Sequence, residues 1–197
     1  MEAGPEGLSR AVPERLVVGM TGIKGAWYGI RLLEVLRDLG VESHLVMCGC
    51  SKSMIEEETG MGLGEIRALA TGWYDERNQA ARISSGSFLT RGMVIVPCTI
   101  RSLSAVVTGV ADNLVQRAAD VTLKEGRRLM LLLAEQSLSP IGQENVARAE
   151  RAGVRIFGVD GMQIPGSCVR PARGTQDPVV SAIVDYFGFG DGAGGFR

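Results

Sequence analysis

Apolar residues along this chain follow two alternating rhythms. Short runs of β-branched and aliphatic residues, Arg15–Met20, Ser43–Met47, Met93–Val96, Leu129–Leu133 and Val154–Gly158, have the length and composition of buried strands. Between them, apolar side chains recur at helical spacing. Ile30, Leu33, Val35, Leu36 and Leu39 form one such stripe, and Gly40 stands where a helix closes. Further helices are expected over Ser53–Thr59, Leu63–Ala70, Ser102–Gly109, Asn113–Glu125, Gln143–Ala152 and Pro178–Tyr186. Trp73–Ile83 shows no clear period.

Strands alternating with helices predict an α/β fold: a doubly wound, mostly parallel sheet with helices on both faces. Residues 15–187 are read as a single domain, 1–14 as a flexible leader and 188–197 as a flexible Gly-rich tail. Such sheets take ligands at the carboxyl ends of their strands, so the turns after the first four predicted strands are the ones to inspect.

Composition narrows the classes. The 197 residues carry a net charge of −1, which gives no electrostatic grip on nucleic acid or an acidic membrane surface. No apolar run approaches the roughly 20 residues of a membrane span. Glycine is abundant, with 27 residues, which suits tight loops where backbone approaches a ligand. Cys48 and Cys50 are too close for an ordinary disulfide, and structural zinc usually sits on CxxC-type pairs, so reduced thiols in a cytoplasmic protein without a metal are expected.

Four segments carry candidate chemistry. In Thr21-Gly22-Ile23-Lys24-Gly25, glycines let backbone amides approach an anion at a helix N-terminus. Cys48-Gly49-Cys50-Ser51 adds small polar groups at the same mouth. Ile83–Phe88 offers three hydroxyls and a glycine. Pro97–Ser102 places hydroxyls and a cation where a nucleotide would sit, and Glu135, after the fourth predicted strand, suits a general acid or base. Arg117, Asp120 and Lys124 have the spacing of an ion-paired helix face, and Glu56–Glu58 that of a solvated one. The lone histidine, His44, is read as structural.

Taken in order, TGIKGAWYGIRLLEVLRDLG, ISSGSF, MVIVPCTIRSL and RAADVTLKE resemble the signatures of the UbiX family of flavin prenyltransferases, over about Arg15–Glu135. The resemblance implies a Rossmann-like or flavodoxin-like homo-oligomer, typically a dodecamer, that needs no metal. It implies joining a dimethylallyl group from its phosphate to reduced FMN, at N5 and then C6. The prenylated FMN would go to a UbiD-type decarboxylase. By position, the resemblance puts Gly22, Ile23, Lys24, Cys48, Ser85, Gly86, Thr99, Ile100, Arg101, Ser102 and Arg117 around FMN. It assigns catalysis to Glu135, Lys124 and Lys24.

The chain also departs from the family pattern. Lys24 replaces a serine, and Ala134 replaces the arginine before the catalytic Glu135. A later tyrosine has no clear partner in Asp160–Pro171, and Ala182 stands near an expected arginine. Lys24, Arg170 and Arg173 are the cations that could rebuild the grip on the allylic phosphate. Three alternatives follow: the same scaffold acting on another allylic phosphate, a non-catalytic FMN carrier, or an FMN-dependent cysteine decarboxylase. The last lacks its expected histidine and PASANT-type segment here.

Overall fold

The computed structural model describes residues 13–22, 24–48, 55–135, 137–158 and 177–189. Their strands are β1 (Arg15–Met20), β2 (Glu42–Met47), β3 (Gly72–Asp75), β4 (Gly92–Cys98), β5 (Arg128–Leu133) and β6 (Arg155–Gly158). Helices are α1 (Ala26–Asp38), α2 (helical over 55–59), α3 (Leu63–Leu69), α4 (Ile100–Thr108), α5 (Leu114–Lys124), α6 (Pro140–Arg151) and α7 (Pro178–Phe187). The six strands form one sheet in the order β3-β2-β1-β4-β5-β6, and every pairing is parallel. The doubly wound architecture expected from the alternation is therefore present, and the strand order reverses between β1 and β4.

Side-chain alternation divides the core. Leu16, Val18, Met20, Val94, Val96, Met130 and Leu132 face α1, α2, α3 and α7, while Val17, Met93, Ile95, Leu129 and Leu131 face α4, α5 and α6. Both faces are covered, so strands such as β5 read as unbroken apolar runs rather than alternating ones.

β3 escaped the sequence reading. Its four residues Gly72-Trp73-Tyr74-Asp75 alternate between half-buried and exposed on the sheet edge, too short to show a period. Elsewhere the ends move by a few residues: Asn113, where the expected helix begins, caps α5, while Ser139 caps α6 and starts it ahead of the Gln143 that apolar spacing marks. Past α7, Gly188 closes the helix and Phe189 packs back on Phe187 with ring centroids 6.3 Å apart.

One close approach places the mouth of the sheet. A Cβ on Gly29 of α1 would lie 2.6 Å from the Val96 carbonyl oxygen. Glycine there lets α1 lie directly on β4, which aims the α1 N-terminus at the point where strand order reverses.

Candidate functional site

Four turns meet at the carboxyl edge, and hydrogen bonds knit them together. The Cys48 amide donates to the Met20 carbonyl at 2.8 Å, and the Thr21 amide to the Pro97 carbonyl at 3.0 Å. Thr21 Oγ1 accepts from the Thr99 amide at 3.2 Å. The Ala134 amide donates to the Cys98 carbonyl at 2.9 Å. Glu135 Oε1 accepts from the Ile100 amide at 3.3 Å. Thr21 is thus a buried pin between the first and third turns. In the sequence Thr21 is one member of a glycine turn, and a Thr at the last position before the glycine is the signal that marks it.

Two helix N-termini open on this mouth. Gly25, at φ 85°, caps α1 without a side-chain oxygen, and the first turn of α1 has no acidic residue. Thr99 caps α4 by accepting from the Ser102 amide, and its hydroxyl lies 3.1 Å from Ser102 Oγ. Arg101 sits in the first turn of α4, where the positive end of the helix dipole opposes a cation. Glu135 is the carboxylate that answers this field. Its charge, after burial, is the second cause that pushes the Cys98 thiol above its ordinary range, so Cys98 stays protonated.

The glutamates of α2 need a correction. Glu56, Glu57 and Glu58 are exposed as expected of a solvated face, but Glu58 Oε1 also accepts from the Gly25 amide at 2.9 Å. A carboxylate therefore stands on the first loop. Charge runs on a helix carry no signal for such a long-range contact.

The expected site residues do not all meet at one edge. Gly22, Lys24, Cys48, Thr99, Ile100, Arg101, Ser102 and Glu135 share the carboxyl edge. Ile23, Arg170 and Arg173 lie outside the described residues. Ser85 and Gly86 lie at the opposite, amino edge, where Arg127, just before β5, donates to the carbonyls of Gly86 and Phe88. Lys124 ends α5 on that same side. A strand of six residues at about 3.3 Å each puts the two edges roughly 20 Å apart, so one chain does not bring Lys124 to Glu135. Arg117, on α5, donates to Asp120 Oδ2 at 2.9 Å, the ion pair its spacing predicted; the Asp120–Lys124 spacing yields no ion pair among the described residues.

FMN fits what the carboxyl edge offers. Gly22 leaves room that a Cβ would fill, 3.3 Å from Pro97 Cγ and 3.4 Å from Thr99 Cγ2. Around it stand hydroxyl donors and the first turn of α1, which no side chain of its N-cap residue closes, with the Glu58 carboxylate holding the Gly25 amide beside it. Among the described residues no cluster of His, Cys, Asp and Glu could hold a metal ion. No helix among them is long and apolar enough to cross a membrane.

Known proteins resemble this chain in sequence and in fold. The flavoprotein family model matches residues 8–187. A probable UbiX-like flavin prenyltransferase of Streptomyces sp. (strain D7) is 48% identical over 174 residues, covering 88% of this chain and 86% of the relative. The crystal structure of AnUbiX in complex with FMN and dimethylallyl pyrophosphate superposes with a TM-score of 0.77 at 37% identity, covering 94% of this chain and 100% of that one. A dodecameric FMN-dependent UbiX-like decarboxylase from Escherichia coli O157:H7 superposes with a TM-score of 0.76 at 42% identity, covering 88% of this chain and 94% of that one. On this match over most of its length, the chain belongs to the flavoprotein family and, within it, to the UbiX-like flavin prenyltransferases.

Proposed function

We propose that this protein transfers a dimethylallyl group from dimethylallyl phosphate to reduced FMN, at N5 and then C6, releasing phosphate and giving prenylated FMN for a UbiD-type decarboxylase. One observation carries the assignment: Glu135 is held at the N-terminus of α4, at the head of the glycine-lined mouth, by the Ile100 amide. When bound, reduced FMN supplies the nucleophilic nitrogen.

The chain's own residues position and neutralise. Thr99, Ser102 and the N-termini of α1 and α4 hold the anionic end of FMN, with Gly22 and Ile23 along the ring and Cys48 beside the phosphate. Lys24 and Arg101 are the exposed cations of the carboxyl edge nearest these turns, and Lys24 meets the charge that develops as the allylic C–O bond breaks. Glu135 takes and returns the proton at the flavin. Allylic carbon ionises readily, so positioning and electrostatics supply most of the acceleration.

Ser85, Gly86 and Lys124 act on the flavin of a neighbouring copy, because their edge is turned away from their own mouth. Arg117 contributes from the α5 face. A homo-oligomer is thus part of the reading, in keeping with the dodecameric relative. A Cys98 thiol without a disulfide suits a cytoplasmic location.

The test is anaerobic incubation with reduced FMN and dimethylallyl phosphate, followed by mass spectrometry of the released flavin. A flavin heavier by one prenyl unit is expected. Unmodified FMN, with FMN binding verified, refutes the assignment.

A second reading has its own support. Ala134 and Ala182 are alanines, so neither position has a cation to give an allylic phosphate, and both are buried. That loss favours the same scaffold acting on a different allylic phosphate. Repeating the assay with dimethylallyl pyrophosphate and with a longer prenyl phosphate separates the two readings.

A further inference from the structure

The segment after the short 3-10 turn Arg82–Ser84 pairs with no strand, yet its carbonyls are not left to solvent. Arg127 donates through one guanidinium nitrogen to the Phe88 carbonyl at 2.9 Å and through another to the Gly86 carbonyl. Arg15 donates to the Leu89 carbonyl at 3.2 Å and lies 4.4 Å from the centroid of the Phe88 ring. With its carbonyls turned inward, the segment presents Ser85 and Ser87 outward, both exposed, their hydroxyls 2.8 Å apart. Arg127 is half-buried and makes no ion pair among the described residues, so these carbonyls are what its charge and its planar fork serve.

We infer that Arg127 is a positioning residue for flavin binding: its two-pronged grip fixes the backbone of 85–88 so that Ser85 and Gly86 meet the flavin in one geometry. This rests on the proposed contact of Ser85 and Gly86 with the flavin. Two donors on one rigid plane fix both the position and the tilt of the loop. A lysine, a point donor, holds one carbonyl at a time. Arg127 grips carbonyls turned away from the exposed Ser85 and Ser87 hydroxyls, so its effect passes through the loop.

The test compares wild type with Arg127→Met and Arg127→Lys by hydrogen-exchange mass spectrometry and by FMN titration of the absorption spectrum. Faster exchange confined to peptides covering 83–91, with β5 unchanged, is expected in Arg127→Met. With it, the Kd for FMN should rise about tenfold, the loss of roughly one well-placed hydrogen bond. Arg127→Lys should recover part of both. Three outcomes overturn the inference: unchanged exchange at 83–91, faster exchange with unchanged FMN affinity, or loss of protection across the whole sheet in both variants. FMN affinity is read without turnover, so a wild-type protein that binds FMN but leaves it unprenylated refutes the proposed activity and leaves this test intact.

Discussion

The two edges of the sheet hold their functional residues by different physics. At the carboxyl edge, short side chains and backbone groups bond one another within a few ångströms of the strand ends, as Thr21, Cys98, Thr99 and Ala134 do. At the amino edge, the loop from Ser85 to Leu89 hangs on long arginines, Arg15 and Arg127, that reach it from β1 and from the turn before β5. The first arrangement inherits the rigidity of the sheet. The second depends on side chains with many rotamers, whose ordering costs entropy. The carboxyl edge should therefore keep its shape through single substitutions of its polar groups and break most when the backbone is moved. The amino edge should respond to the exchange of one arginine.

Moving the backbone is the largest test. Gly29→Val puts branched carbon against the Val96 carbonyl, where even a Cβ would sit at 2.6 Å. It should cost about 3 kcal/mol or more and weaken FMN binding with it, read by denaturant unfolding and flavin titration. Wild-type stability would show that α1 can shift, and that the carboxyl edge is less rigid than described.

Glu135→Gln asks whether that edge does chemistry or only binds. The amide keeps an oxygen for the Ile100 N–H but loses the charge and the basicity. Turnover should fall roughly 100-fold or more while FMN affinity changes little. Equal losses in both would reduce Glu135 to a structural cap.

Thr99→Ala removes the cap of α4. A loss of about 1 kcal/mol in stability is expected, with FMN affinity lowered several-fold. No change would mean that Ser102 takes over the cap.

The smallest effect sharpens the amino edge. His44 is 5% exposed, with Nδ1 3.0 Å from the Tyr74 hydroxyl and Phe88 edge-on at 4.9 Å. Among the described residues its Nε2 has no hydrogen-bond partner, and Glu42 Oε2 lies 3.7 Å away. Burial first, then the charge of Arg15, lowers its pKa below 6.5; Arg82 lowers it further, while Glu42 raises it. The folded state thus resists protonation that the unfolded chain accepts. This contribution is complete above pH 6.5 and is lost as pH falls toward the folded value. Between pH 7.5 and 5.5 the wild-type Tm should drop by about a few degrees, and by less in His44→Gln. Equal slopes would remove His44 as the source.

Sequence patterning made most of the fold legible because buried parallel strands are written as local apolar runs. Leu129–Leu133 and Met93–Val96 could be read that way, and Gly40 marked the end of α1. β3 could not, since an edge strand of four residues has too few positions to show alternation. The first and third turns stood out through Gly22 and the Thr99–Ser102 run. Thr21 and Glu58 did not, because their roles depend on partners 78 and 33 residues away.

The chain by itself therefore determined the α/β alternation, the glycine turns at the strand ends and the family to which the motifs point. All of these are set by local spacing, sterics and turn chemistry. Only the tertiary structure decided which edge each motif occupies. Ser85 and Lys124 lie close in sequence to Thr99 and Glu135, yet the parallel strands carry them to the opposite side. In a parallel sheet the chain crosses from one edge to the other with every strand and returns with every helix, so nearness along the chain says little about nearness at a site.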